Sequence, residues 1–240
     1  MKPTSFLFLL AILCSTSACD FIMMQCIDGE GNNISKTLDN SNFSKVALSS
    51  FDADIQQGNT FSVEISGYEN LFEHLEIEQK GDLLVLGTKD GVCFKDDVLS
   101  AKITLPALEG LTINGSGDVV TSDFDQNTDL ELGINGSGSI STGTMSNLGK
   151  LQSYINGSGG IKTQGSAQSG NITITGSGTF DSFDMAIQTA EANIIGSGDI
   201  YLGAKESLNA SITGSGDIIY AGSPKVRTNI TGSGDIESRN

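Results

Sequence analysis

Four aspartates directly follow a Gly-Ser-Gly triplet: Asp118, Asp199, Asp217 and Asp235. The last three follow consecutive triplets, so stacked repeats would place their carboxylates one strand spacing apart. Like charges this close need solvent, hydrogen bonds from turn N–H groups or a bridging cation. Two interpretations stay open, a calcium ladder at Asp199, Asp217 and Asp235 or aspartates that accept hydrogen bonds at a tight turn. Because other residue types interrupt the row, we predict no metal. The interrupting residues are Ser139, Gly160 and Thr179.

A second polar row lies one residue before the triplets. Its members are Asn114, Asn135, Asn156, Thr175, Ile195, Thr213 and Thr231. Side chains of this kind hydrogen-bond to one another along stacked strands, which makes the row a structural ladder. An outward strip of Asn, Ser and Thr could also meet sugars. A glycan, or another envelope or cell-surface ligand, is therefore the candidate partner.

Catalytic residues are scarce. His74 is the only histidine, and no serine or cysteine motif or metal-ligand spacing accompanies it. Repetitive β-folds do include polysaccharide lyases and hydrolases. An enzyme acting on polysaccharides, with or without calcium, therefore remains an alternative. Lysine and arginine are too sparse in the repeat to neutralise an acidic polymer, so we predict no catalysis and no cofactor.

A repeat of about 20 residues positions these side chains. Its triplets begin at Gly115, Gly136, Gly157, Gly176, Gly196, Gly214 and Gly232. Two positions before each triplet stands an isoleucine, at Ile113, Ile134, Ile155, Ile174, Ile194, Ile212 and Ile230. Two positions after it stands another apolar residue, at Val119, Ile140, Ile161, Phe180, Ile200, Ile218 and Ile236. The even separation lets both side chains point inward from extended backbone.

The spacing predicts an all-β fold, a single-stranded parallel β-helix with one coil per repeat. The isoleucines would form a continuous internal column, and the glycines would form the corner between two faces. Right-handed winding is expected from the usual chirality of parallel crossovers. We assign residues 111–237 to this repeat. Residues 43–110 are predicted to be less regular strands of the same head domain, because their alternation also indicates β-structure.

The N-terminal sequence predicts export. "MKPTSFLFLLAILCSTSAC" has an early lysine, an apolar block and then small residues, as in a secretory signal. "TSAC" resembles a bacterial lipobox, which implies a signal peptide at residues 1–18, lipid attachment at Cys19 and a membrane partner. Residues 19–42 are polar and are predicted to be a tether. Cys26 and Cys93 are a candidate disulfide in an oxidising compartment, with two free thiols as the alternative.

The motifs "INGSGD", "ITGSGT" and "ITGSGDI", preceded by "ITLPALEGLTINGSGD", resemble the head GIN domain family of putative auto-transporter adhesins, a domain of unknown function. The resemblance extends from about Phe43 to Ile236. It implies a β-helical, often lipid-anchored protein of the bacterial envelope, and it supplies no active-site residues.

The charge excludes one class of partner. The chain has 13 basic and 29 acidic residues and a formal net charge of −16, which repels nucleic acid. We predict a membrane-anchored envelope lipoprotein, periplasmic or surface-exposed, whose rigid head is used for binding or adhesion. A structural or sensory envelope component is the remaining alternative.

Overall fold

The computed structural model describes residues 25–49, 51–95 and 99–239. Its N-terminal half contains β1 (Gln25–Ile27), β2 (Asn33–Leu38), β3 (Lys45–Leu48), β4 (Asp52–Gln57), β5 (Ser62–Tyr68), a 3₁₀ helix (Glu69–His74), β6 (Leu75–Lys80), β7 (Leu83–Thr88), β8 (Val92–Phe94) and β9 (Ser100–Leu105). The repeat contains β10 (Gly110–Gly115), β11 (Asp118–Thr121), β12 (Phe124–Asp125), β13 (Leu130–Gly136), β14 (Ser139–Gly157), β15 (Gly160–Gly176), β16 (Thr179–Gly196), β17 (Asp199–Gly214), β18 (Ile218–Ala221), β19 (Lys225–Gly232) and β20 (Ile236–Ser238).

The repeat forms a parallel β-solenoid of about six turns, roughly 20 residues apart in sequence. This confirms the predicted β-helix. The segments before each triplet pair side by side into a first face, in the order β10, β13, β14, β15, β16, β17, β19. The segments after each triplet form a second face, in the order β11, β14, β15, β16, β17, β18, β20. On the third side the register shifts between neighbouring coils, because the repeat length varies there.

The N-terminal half continues both faces, but not in chain order. β3 and β4 form a coil that pairs in parallel with β10 and β11. On their other side β3 and β4 pair in parallel with β7 and β9, which come later in the sequence. The earliest coil is thus enclosed between two later ones. Residues 43–110 therefore supply strands of the head, as predicted from their alternation, and some of these strands form coils of the solenoid itself.

Antiparallel strands close this end of the solenoid. β6 pairs with β7 on the first face, whereas β5 pairs with β9 and β2 pairs with β5 on the second face. The 3₁₀ helix crosses from β5 to β6 and buries Leu71 completely. The chain therefore covers the end of its core with its own side chains.

The predicted tether is wrong from Gln25 onwards, because residues 25–42 belong to the folded head. β1 pairs with β8, and Cys26 and Cys93 form a disulfide between these two strands. β2 adds an edge strand to the second face. The polar composition of this segment reflects an exposed edge and not a free linker, since β2 is mostly exposed. Cys19 lies outside the described residues.

The predicted isoleucine column is present in six of its seven positions. The six isoleucines that precede a triplet, from Ile113 to Ile212, are each at most 1% exposed. The apolar residues that follow a triplet, from Val119 to Ile218, form a second column and are each at most 2% exposed. Burying each such side chain contributes about 1.5–3 kcal/mol. Ile230 is the exception at 43% exposed. It lies in the last described coil, whose outer side pairs with no described strand.

The triplets turn the chain where coils come closest together. The first glycine of every triplet has a φ between 127° and 141°, which glycine adopts without steric cost. A Cβ on Gly176 would collide with the carbonyl oxygen of Gly157 in the coil before. That oxygen accepts a hydrogen bond of 2.9 Å from the N–H of Ser177. The glycines are therefore required both for the bend and for the approach of one backbone to the next.

The two isoleucine environments give a matched pair of variants. Ile194→Asp puts an unpaired charge at a site that is 1% exposed, so we expect a loss of several kcal/mol and an unfolded head. Ile230→Asp changes the same repeat position at 43% exposure and is expected to cost about 1 kcal/mol or less. Thermal melts followed by circular dichroism measure both. Equal melting temperatures for the two variants would contradict the buried column.

Candidate functional site

The first face carries three outward rows of side chains. They lie three residues before, one residue before and one residue after each isoleucine, because side chains alternate along a strand. The outer row contains Lys45, Gly110, Glu131, Gln152, Asn171, Glu191, Asn209 and Arg227. The middle row contains Thr112, Gly133, Tyr154, Thr173, Asn193, Ser211 and Asn229. The inner row is the predicted Asn/Thr ladder.

A depression follows the outer row over several coils. It consists of three adjoining parts of about 600, 240 and 260 Å³. The first two parts share Lys150, and the last two share Glu191 and Asn209. We call this row of three adjoining depressions the polar groove. An open channel of this kind fits an extended ligand better than a small molecule, because it encloses nothing on its outer side.

The charge of the polar groove changes along its length. Its first part combines Lys45 and Lys150 with Glu109, Asp129 and Glu131. Lys45 Nζ lies 2.8 Å from Asp82 Oδ2, and this hydrogen-bonded ion pair raises the pKa of Lys45 and lowers the pKa of Asp82.

The other two parts of the polar groove contain one lysine, one glutamate and one arginine among hydroxyl and amide side chains. Their charged residues are Lys150, Glu191 and Arg227. Over the whole groove three positive side chains stand against four negative ones, so it is close to neutral in a protein of net charge −16. Its capacity for hydrogen bonding comes from groups that both donate and accept.

Tyr154 is the only aromatic side chain in the three rows. Its ring lies over Gly133 of the preceding coil, where a Cβ would collide with the ring carbon Cζ and the hydroxyl oxygen. Glycine at this position therefore lets the ring lie down on the sheet. Tyr154 remains partly exposed between Gln152 and Asn156 of its own strand. The arrangement provides a flat apolar surface within a polar face.

The inner row is a structural ladder over its first part, as predicted. Asn135 donates a side-chain hydrogen bond of 2.9 Å to Asn114, and Asn156 donates one of 2.9 Å to Asn135. Each amide in the ladder thus satisfies its neighbour. Ile195 interrupts the row and is 55% exposed.

The aspartate row lies at the start of the second face, and its carboxylates accept backbone hydrogen bonds. Asp199 accepts from the N–H of Asp217 at 3.1 Å, and Asp217 accepts from the N–H of Asp235 at 2.9 Å. Asp52 extends the row into the N-terminal half by accepting from the N–H of Asp118 at 2.8 Å. Within the described residues no group of three or more His, Cys, Asp or Glu side chains could hold a metal ion.

The acidic second face also affects a tyrosine. Burial, followed by the carboxylates of Asp199, Asp217 and Asp181, raises the pKa of the Tyr201 hydroxyl. The ring of Tyr201 packs against Phe183 with 5.4 Å between centroids, and the Arg239 guanidinium lies 4.8 Å from the Phe183 ring centre. This cluster is satisfied by its own contacts, and the hydroxyl stays protonated at neutral pH.

His74 lies at the end of the 3₁₀ helix, away from the polar groove. Its Nε2 is 3.4 Å from Glu73 Oε1, and it lines none of the three parts of the groove. Sequence reasoning thus identified the aspartate and Asn/Thr rows but missed the outer row and Tyr154. The signal for the outer row was the mostly polar residue three positions before each isoleucine.

Comparison with known proteins agrees with this architecture. A family model described as "Putative auto-transporter adhesin, head GIN domain" matches residues 42–224. The chain belongs to this family. Family membership indicates an adhesin-like β-helical protein of the bacterial envelope or surface. Within the described residues, no helix is long and apolar enough to cross a membrane. A comparison with curated proteins gives no significant match.

Solved structures share the fold over nearly the whole chain. A crystal structure from Parabacteroides distasonis, described as a putative lipid binding protein, is 27% identical, with a TM-score of 0.73, and the match covers 90% of this chain and 100% of that one. A putative adhesin from Bacteroides fragilis is 24% identical with a TM-score of 0.82, covering 89% and 100%. A putative adhesin from Parabacteroides merdae is 22% identical with a TM-score of 0.67, covering 89% and 99%.

The hydrogen bonds of the aspartate row lead to a prediction for this head GIN domain. Asp217→Ala removes the acceptor for the Asp235 N–H and is expected to cost about 1 kcal/mol, whereas Asp217→Asn keeps an acceptor oxygen and is expected to melt like the parent. Millimolar Ca²⁺ is expected to leave the parent melting temperature unchanged. A calcium-dependent rise that disappears in Asp217→Asn would instead establish a metal ladder.

Proposed function

We propose that this protein is a lipid-anchored adhesin-like protein of the bacterial envelope whose β-helical head binds an extended polymer in the polar groove. The observation that carries the proposal is the alignment of the three depressions along the outer row, to which successive coils contribute the same outward positions. Many weak contacts in a line produce a useful combined affinity, since each bound segment holds the next close to its site.

The first face is suited to display its rows in a fixed geometry. The strands beneath it pair on both sides, and the side chains on their inner surface are almost fully buried. A rigid surface loses little conformational freedom on binding, which favours affinity. Family membership and the shared fold support an envelope location but name no ligand.

The side chains of the groove favour binding without catalysis. The carboxylates and lysines at its first end are the only place where charged groups concentrate along it. The rest of the groove presents amides and hydroxyls, which orient a ligand but do not transfer protons at neutral pH. Cleavage of a bound polymer would therefore count against this proposal.

Lipid anchoring at Cys19 is tested directly in the producing bacterium. Cys19→Ala removes the sulfur that would carry the lipid, so we expect the variant to lose incorporation of a labelled fatty acid and to leave the membrane fraction. Cys14→Ala is the control and is expected to remain lipidated, because Leu13 precedes that cysteine where a small residue is needed. A membrane-bound, labelled Cys19→Ala protein would contradict the anchor.

Binding in the polar groove is tested by adding charge and bulk to it. In the Cys19→Ala background, Asn171→Lys combined with Asn209→Lys is expected to weaken binding of the labelled protein to isolated bacterial envelopes and intact cells by about tenfold or more, a factor that corresponds to about 1.4 kcal/mol. Val120→Lys combined with Ser141→Lys adds the same charge to exposed positions of the second face and is the control.

Three outcomes would overturn the proposed function. Equal binding by both double variants would place the ligand elsewhere on the molecule. Absence of binding by the parent to any envelope or cell preparation would favour a purely structural component. Shortening of a polymer incubated with the parent protein would favour the enzyme.

A further inference from the structure

We infer that the polar groove and its neighbouring rows bind a linear, uncharged glycan, with one pyranose ring stacked on Tyr154. This inference rests on the proposed function, because it names the chemical class that the same surface takes. The observation behind it is one flat aromatic ring among amide side chains. The ring lies on a face whose outward positions recur in every coil.

The Tyr154 ring has the orientation that sugar stacking requires. Since it lies over the backbone of Gly133, its plane follows the sheet instead of projecting from it. The electron-rich face of an aromatic ring attracts weakly positive C–H groups, and a pyranose presents several of these on one side. The exposed side of the Tyr154 ring is therefore a platform for the apolar face of a sugar.

The groups around Tyr154 match the hydroxyls at the edge of such a sugar. Gln152 and Asn156 lie two residues away on the same strand, and Glu131 and Asn135 lie on the preceding coil. A carboxylate or amide presents two polar atoms in one plane, so Glu131 and Gln152 can bond to neighbouring hydroxyls. Asn135 and Asn156 each keep a second amide N–H beyond the one they donate along the ladder. Apolar stacking and planar hydrogen-bonding groups thus converge on one spot.

The repeat extends this arrangement to a polymer. Successive coils lie about 4.8 Å apart, which is close to the length of one hexose in an extended chain. A glycan chain that runs along the solenoid axis from Tyr154 would meet Thr173, Asn193 and Ser211 in turn, one from each coil. The groove residues Asn171, Glu191 and Asn209 lie two positions before these on the same strands. Each sugar would therefore find an equivalent hydrogen-bonding position.

Other extended ligands fit this surface less well. An extended peptide gains affinity by pairing with a free strand edge, but the strands beneath Tyr154 pair on both sides. Nucleic acid and polyuronate are repelled by the net charge of −16. A cationic polymer would favour the aspartate row over a groove that is close to neutral.

The test uses the Cys19→Ala protein and a panel of uncharged linear hexasaccharides: cello-, xylo-, manno-, laminari- and chitohexaose. Binding is measured by calorimetry, and contacts are identified from saturation transfer to the sugar protons. We expect at least one hexasaccharide to bind. Tyr154→Phe is expected to bind it within a few-fold of the parent, whereas Tyr154→Ala is expected to bind about tenfold more weakly.

A second variant keeps the test informative if Tyr154→Ala unfolds. Asn171→Arg leaves the ring in place and is expected to weaken binding as well, because it adds bulk and charge to the polar groove on the coil that follows Tyr154. Val120→Ala on the second face is the matched control and should bind like the parent. Circular dichroism and the melting temperature establish which variants are folded.

The outcomes separate the ligand class from the proposed function. If no hexasaccharide binds, or if folded Tyr154→Ala binds like the parent, the glycan inference is wrong. In that case the groove double variant still decides the proposed function, since its loss of envelope binding would show that the groove takes another polymer. Retained envelope binding by that double variant would overturn both.

Discussion

The close approach of consecutive backbones at the Gly-Ser-Gly corners is the constraint on which this structure depends. The carbonyl oxygen of one glycine lies where a Cβ of the next coil's glycine would be, so no other residue type fits without moving the coils apart. This approach sets the register in which isoleucine lies over isoleucine inside. It also sets the register in which amide lies over amide outside. Core and surface are therefore aligned by the same contact.

This register decides which positions accept only a few residue types and which accept many. Inward positions of the two columns are restricted to apolar residues, because a close-packed interior tolerates few changes. Outward positions on the first face need only suit an extended strand, so their chemistry can serve a ligand. Gly133 and Tyr154 are linked across this division, since a missing side chain on one coil makes room for the ring of the next. A change at one of these two positions would alter the outward surface of the first face through the other.

The repeat could be predicted from the sequence because its signal is local and recurs seven times. The parallel faces, the buried columns, the glycine corners and the Asn/Thr ladder all follow from alternation within single strands. The placement of β3 and β4 between later coils could not be predicted, because it depends on pairing between distant segments without a shared motif. Composition led to the wrong prediction of a tether at residues 25–42, since an exposed edge strand and a linker are both polar. Tyr154 was missed because its importance comes from the glycine beneath it and not from its own repeat position.

The disulfide between Cys26 and Cys93 has a mechanical consequence for a head that is attached to a surface. Tension applied to the chain before Cys26 passes through a covalent bond into β8, which lies in sequence between β7 and β9. It bypasses β2, whose hydrogen bonds to β5 would otherwise be exposed to the pull. The load then reaches the solenoid at its closed end, where antiparallel strands and the 3₁₀ helix are anchored in the core. A pull on the chain before Cys26 would therefore load the disulfide-bonded pair of β1 and β8 and leave the pairing of β2 with β5 unloaded.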